Sequence, residues 1–183
     1  MTPVIRPLQP SDSLDDLTQL LHAAYASLAA QGWNFTAVDQ PVEVTRQRLA
    51  GAQAFVAEQH GRLVGTVAVR GPKPVGEAYI GDPSPALYTT PGTAILSQLA
   101  VHPDCRGHGL AERLIDAAEA WARAQGFTQI ALDTAEPAAA LRARYARRGY
   151  VEVGTVQWAG KTYRSVLMCK PLGGPTNHTN ARS

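Results

Sequence analysis

A chain of 183 residues, 45% hydrophobic and 17% charged, has the size and composition of one globular domain with a substantial core. Its formal net charge of +2 is too small to argue for nucleic acid or an acidic membrane as a partner, and no apolar run approaches the ~18 residues of a membrane span. Cys105 and Cys169 make no disulfide framework and the N-terminus lacks a basic-then-apolar signal pattern, so a cytoplasmic protein is expected.

Val4-Ile5-Arg6-Pro7-Leu8 is a short strand, placed near an edge or its own end by Pro7. Ser13 and Asp16 form a capping pattern, and Leu14, Leu17, Leu21, Ala24, Tyr25 and Leu28 recur at helical spacing, which predicts an amphipathic helix over 13–30. In the loop after it, Trp33 and Phe35 either line a substrate mouth or fold back to cap the core. Pro41 opens a second helix over about 42–50. Ala54–Glu58 and Leu63–Val69 are β-rich runs joined by a tight turn, a hairpin, and Gly65 within the second marks a bulge or a close backbone contact.

Residues 71–93 are rich in Gly and Pro and too long for a hairpin turn. They carry Glu77, Tyr79, Asp82 and Tyr88, and read equally as a substrate-side lid or a solvated insertion. Ile95–Val101 is a near-continuous apolar strand of the kind found at sheet centres. The helix that follows has Leu110, Leu114, Ala118, Trp121 and Ala122 on one face, with Glu112, Arg113, Asp116, Glu119 and Arg123 outside and Glu119 and Arg123 as an i,i+4 pair. It stops at Gly126 and leads into a strand at 130–132 parallel to the previous one. A helix over 137–148 concentrates Arg142, Arg144, Arg147 and Arg148, either a phosphate attractor or a solvated face. Strands at 150–158 and 163–168 complete the pattern. A single domain over 1–172 and a disordered tail over 173–183 are expected.

Between the central strand and its helix lies His102-Pro103-Asp104-Cys105-Arg106-Gly107-His108-Gly109-Leu110-Ala111. Helix N-termini present unpaired N–H groups and a positive dipole end, and glycines let an anion approach the backbone. The P-loop spelling fails for want of its lysine. The dinucleotide fingerprint fails because Glu112 stands where its third glycine belongs.

The run Leu99-Ala100-Val101-His102-Pro103 followed by Arg106-Gly107-His108-Gly109-Leu110-Ala111 resembles motif A of the GNAT superfamily of N-acetyltransferases, which bind acetyl-CoA. Tyr145-Ala146-Arg147-Arg148-Gly149-Tyr150 is similar to a second element of that family, Tyr-x-x-x-Gly-Phe/Tyr. Asp104 stands where the family loop usually has Gln or Arg, and Ala138 where many members have Asn.

The resemblance implies an α/β (α+β) GNAT fold: a central mixed sheet of six to seven strands flanked by about four helices. It implies that Arg106–Ala111 hold the CoA pyrophosphate, that Leu99, Ala100 and Val101 contact the pantetheine and acetyl group, and that Tyr145 is the general acid. It further implies transfer of acetyl from acetyl-CoA to a primary amine of a small molecule or peptide by direct attack in a ternary complex, without a metal. Homodimers are common in the family. The alternative is a non-catalytic acyl-CoA-binding or regulatory module on the same fold.

An amine of pKa ~10.4 must lose its proton before it attacks, and a tyrosine of pKa ~10 can protonate a departing thiolate of pKa ~8.5. The base is open among Glu77 and Asp82, or Ser97 and Tyr79 through water. Trp33, Phe35, Glu77 and Tyr79 are the candidate acceptor contacts. Cys105 has no base ordered beside it and is rejected as an acyl carrier; His102 and His108 have no metal-ligand spacing and read as a turn residue and a phosphate neighbour.

Overall fold

The computed structural model of the chain describes residues 2–76, 78, 79 and 82–173. In chain order the elements are β1 (Val4–Pro7), α1 (Leu14–Ala30), α2 (Val42–Leu49), β2 (Gln53–Gln59), β3 (Arg62–Arg70), β4 (Ala78–Tyr79) and β5 (Asp82–Pro83). They continue with α3 (Ala86–Thr89), β6 (Thr93–Val101), α4 (Leu110–Ala124), β7 (Gln129–Ala135), α5 (Ala139–Arg147), β8 (Val151–Val156) and β9 (Ser165–Pro171). Seven strands form one mixed sheet in the order β1-β2-β3-β6-β7-β9-β8, and β4 pairs only with β5. Among the described residues the expected sheet with about four helices is realised as seven strands and five helices, of which α3 has only four residues. Glu77, the side chains of Tyr79 and Asp82, and residues 174–183 of the expected tail lie outside the described residues.

Strand alternation divides the core. Val67 and Val69 of β3, with Leu96 of β6, face α4 through Leu114, Ile115 and Ala118. On the other side Val56 meets Leu17 and Leu20 of α1, and Ala100 meets Leu21 and Ala24. Gly65 lies directly beneath α4: a Cβ there would stand 2.9 Å from Leu114 Cδ1 and 3.3 Å from Ala57 Cβ. The hairpin it belongs to also has an irregular register near Ala57 and Glu58.

Leu96 and Ala100 are four residues apart and would share a face in a regular strand. They pack on opposite faces because β6 carries an extra residue between Ser97, opposite Ala68, and Ala100, opposite Thr66. Gln98, with φ of 55°, is the left-handed residue of this bulge.

Among the described residues the one parallel pairing, β6 with β7, is short: Thr93, Ala94 and Ile95 oppose Gln129, Ile130 and Ala131. Beyond them the strands have no register with each other, and the sheet is open from Leu96 and Leu132 onward.

Glu119 corrects the helical-wheel reading of α4. It is 2% exposed rather than outward-facing and does not pair with Arg123. Its carboxylate meets Lys170 at 2.7 Å and Arg148 at 2.9 Å and accepts from the Tyr150 hydroxyl at 3.2 Å. Arg148 also reaches Glu112 (2.8 Å) and Asp116 (2.6 Å), Arg144 stands 3.7 Å from Glu112, and Arg142 meets Glu152 at 2.7 Å. Three of the four clustered arginines thus tie α5 to α4 and β8.

Candidate active site

The opening between β6 and β7 leads into a cavity of about 1290 Å³, lined also by α1, the segment joining α1 to α2, and the β8–β9 turn. The bulge shapes one wall. It re-aims the backbone of Leu99 and Ala100, and the Leu99 carbonyl accepts the Tyr25 hydroxyl at 2.8 Å, which fixes the distorted strand against α1. Leu99, Ala100 and Val101 all line the cavity.

At the C-terminal end of β6 a short 3-10 turn (Pro103–Cys105) delivers the chain to the N-terminus of α4. Gly107 and Gly109 have φ of 83° and 74°, conformations that glycine adopts without penalty, and nothing lies within 4 Å of where their Cβ atoms would stand. Arg106, Gly107, Gly109, Leu110 and Ala111 line this end, whereas His108 is exposed and outside the lining. Arg106 donates to the Ala24 carbonyl at 2.6 Å and so ties the loop to α1. Open space, first-turn N–H groups without helical acceptors and an arginine make a donor set that fits a phosphate. His102 Nδ1 accepts from the Asp104 N–H at 3.1 Å, the turn role expected of it.

Tyr145 lines the cavity from α5, 7% exposed, with its ring edge-on to Tyr150 at 5.7 Å. Burial raises its pKa well above the ordinary tyrosine value, Tyr25 adds to the rise, and Arg144 opposes it. The phenol is therefore held protonated across the neutral range.

Asp133 was not singled out by the sequence and is the acid that β7 presents to the cavity. Its carboxylate accepts the Tyr88 hydroxyl on one oxygen and Trp158 Nε1 (3.0 Å) on the other. Tyr88 belongs to α3 and is 2% exposed, so this part of the Gly/Pro-rich stretch is built into the core. The signal for Asp133 was a lone acid within Ile130-Ala131-Leu132-Asp133-Thr134, a strand otherwise without charge.

Trp33 and Phe35 pack against Ala135, Ala138 and Tyr163, the core-capping alternative, and also line the cavity. Phe35 stands 4.9 Å from the Tyr163 ring and 5.7 Å from that of Tyr25. Their segment is strapped to the β8–β9 turn. Asn34 donates to the Gly160 carbonyl (2.8 Å), Lys161 to the Asn34 carbonyl (2.7 Å), and Thr162 to the Gly32 carbonyl (2.6 Å). Ser97 also lines the cavity, as does Cys105, whose thiol lies 3.9 Å from Gln59 Oε1. Among the described residues no group of three or more His, Cys, Asp or Glu is placed to hold a metal ion.

A family model described as the acetyltransferase (GNAT) family matches residues 14–150, most of the chain. The chain belongs to this family. The fold of this GNAT acetyltransferase is shared with solved structures. The ribosomal-protein-S18-alanine N-acetyltransferase from Escherichia coli superposes with a TM-score of 0.70 at 16% identity, covering 96% of this chain and 97% of that one. The ribosomal-protein-alanine N-acetyltransferase from Brucella melitensis gives 0.67 at 25% identity, with 92% and 99% covered. A GNAT family acetyltransferase from Elizabethkingia anophelis, solved with acetyl-CoA bound, gives 0.64 at 13% identity, with 93% and 99% covered. None of the curated proteins matches the chain in sequence.

Proposed function

We propose that this GNAT acetyltransferase moves the acetyl group of acetyl-CoA to a primary amine of a small molecule or peptide by direct attack within a ternary complex. The observation that carries this reading is one cavity with a phosphate-type loop at its end, a protonated tyrosine inside it and a fixed carboxylate on the opposite strand. When bound, acetyl-CoA supplies an activated thioester. Arg106 and the N–H groups from Gly107 to Glu112 hold its phosphates, and the bulged backbone of Leu99–Val101 offers N–H groups to polarise a carbonyl.

Asp133 attracts the substrate's ammonium and accepts its proton, directly or through water. As the new C–N bond forms and the C–S bond breaks, Tyr145 gives its proton to the departing sulfur, whose acid form has a pKa of ~8.5, and the second proton that the nitrogen loses on becoming an amide restores the phenol, directly or through water. Asp133 fills the role of base, for which the sequence offered Glu77, Asp82, Ser97 and Tyr79.

The test is thiol release from acetyl-CoA against a panel of amines. Tyr145→Phe keeps the buried ring and is expected to lower kcat by about 10²–10⁴-fold while acetyl-CoA affinity is retained. Because burial raises the Tyr145 pKa above the ordinary tyrosine value, wild-type kcat is expected to show no alkaline decline from this group up to about pH 10. Tight CoA binding with no thiol release on any amine would instead make the chain an acyl-CoA-binding module.

A further inference from the structure

The half of the cavity away from the phosphate loop is rich in cations. Arg48 from the last turn of α2, Arg70 from the end of β3 and Lys161 from the β8–β9 turn line it, and none has a carboxylate oxygen within 4.0 Å among the described residues. Lys73 adds a further positive charge, 5.4 Å from the Tyr88 ring centre. Among the described residues the acids lining this half are Asp39 and Asp133, and neither comes within 4.0 Å of Arg48, Arg70 or Lys161.

The cations are held in place by neutral groups. Lys161 Nζ donates to the Asn34 carbonyl and, at 3.1 Å, to Thr36 Oγ1. Arg48 donates to Gln40 Oε1 at 2.9 Å, and Gln40 Nε2 donates to Gln98 Oε1 at 3.2 Å. That line ends at Gln98 Nε2, a buried donor with no acceptor among the described residues, on a residue that lines the cavity. Arg48 and Lys161 are close enough that Arg48, after burial, is the next cause of a lowered Lys161 pKa, against Asp39 and Asp133. Partly buried cations that stay unpaired are costly unless an anion arrives to meet them.

We propose that the acceptor is an amine that also carries a carboxylate, its ammonium drawn to Asp133 and its carboxylate to Arg48 and Lys161. This rests on the amine-transfer reading above and narrows it: polyamines and other polycations bring only like charge to these side chains. The carboxylate belongs either to a free amino acid or to an acidic first residue of a peptide.

Matched pairs decide the matter: amino acids against their decarboxylated amines and carboxamides, and tetrapeptides beginning with Asp or Glu against ones beginning with Asn or Gln. Thiol release gives kcat/KM, and calorimetry on the CoA-bound protein gives binding independently of turnover. The carboxylated member of a pair is expected to exceed its partner by on the order of ten- to hundred-fold, less so at high salt. Arg48→Gln and Lys161→Met should each raise KM for carboxylated acceptors and shrink that preference, and two variants keep the test alive if one fails to fold. Preference among amino acids alone assigns the α-carboxylate; preference among peptides alone assigns the acidic side chain. Equal or better use of decarboxylated amines or polyamines overturns the inference and leaves acetyl transfer standing. Carboxylated amines that bind without turnover support the subsite and overturn the transfer reading, and neither binding nor turnover overturns both.

Discussion

Two glycines of this chain are required for different physical reasons, and the difference is measurable. Gly109 precedes α4 with φ of 74° and open space where a Cβ would stand. Gly65 has no left-handed φ, but a Cβ there would be pressed against Leu114 under the same helix. Gly109→Ala therefore costs only backbone strain, about 1–2 kcal/mol, while its methyl group intrudes into the space proposed for the phosphates. Gly65→Ala overpacks the core and costs about 1–3 kcal/mol without touching the loop. Chemical denaturation combined with calorimetric titration of acetyl-CoA separates them. Gly109→Ala should lose affinity out of proportion to stability, and Gly65→Ala should lose stability with affinity intact. Equal loss of affinity in both would remove Gly109 from the phosphate site.

At the scale of elements, α4 shows what helical spacing can and cannot say. Its apolar stripe and its stop at Gly126 were readable because they depend on neighbours within a turn or two. Glu119 sits among Glu112, Asp116 and Arg123 in sequence and looked solvated, yet the cations that enclose it come from α5 and β9. Asp133 escaped notice for the same reason: Tyr88 and Trp158, which hold it, arrive from distant segments. Tyr145 and the glycine loop, which line the cavity, are legible because each belongs to a short contiguous pattern. A buried acid enclosed by two cations and a tyrosine is expected to be structural. Glu119→Ala leaves Arg148 and Lys170 without their buried partner and should cost about 3–5 kcal/mol in denaturant midpoints, far more than loss of an exposed helix pair. A loss under about 1 kcal/mol would return Glu119 to the surface role that its spacing suggested.

For the whole molecule, the decisive feature is a sheet joined at its centre by three opposed residue pairs. The order of elements along the chain and the parallel crossover were legible, but the short seam was not, because the apolar runs around Ile95 and Ile130 look alike over whatever length they pair. On the α4 side, Arg148 and Lys170 bind the β9–β8 half to a helix packed on β2, β3 and β6; on the other, the two strands diverge into the cavity. A ligand lodged between β6 and β7 touches both halves and stabilises only the folded state. At a hundred times its Kd, acetyl-CoA should add about 2.7 kcal/mol, a rise of roughly 5–10 °C in Tm for a chain of this length. Hydrogen exchange should slow on both walls of the opening, residues 96–101 and 132–135, because both lose solvent access together. Protection confined to the loop at Arg106–Ala111, with the two strands unchanged, would mean that only the phosphates are held and that the thioester never reaches Tyr145.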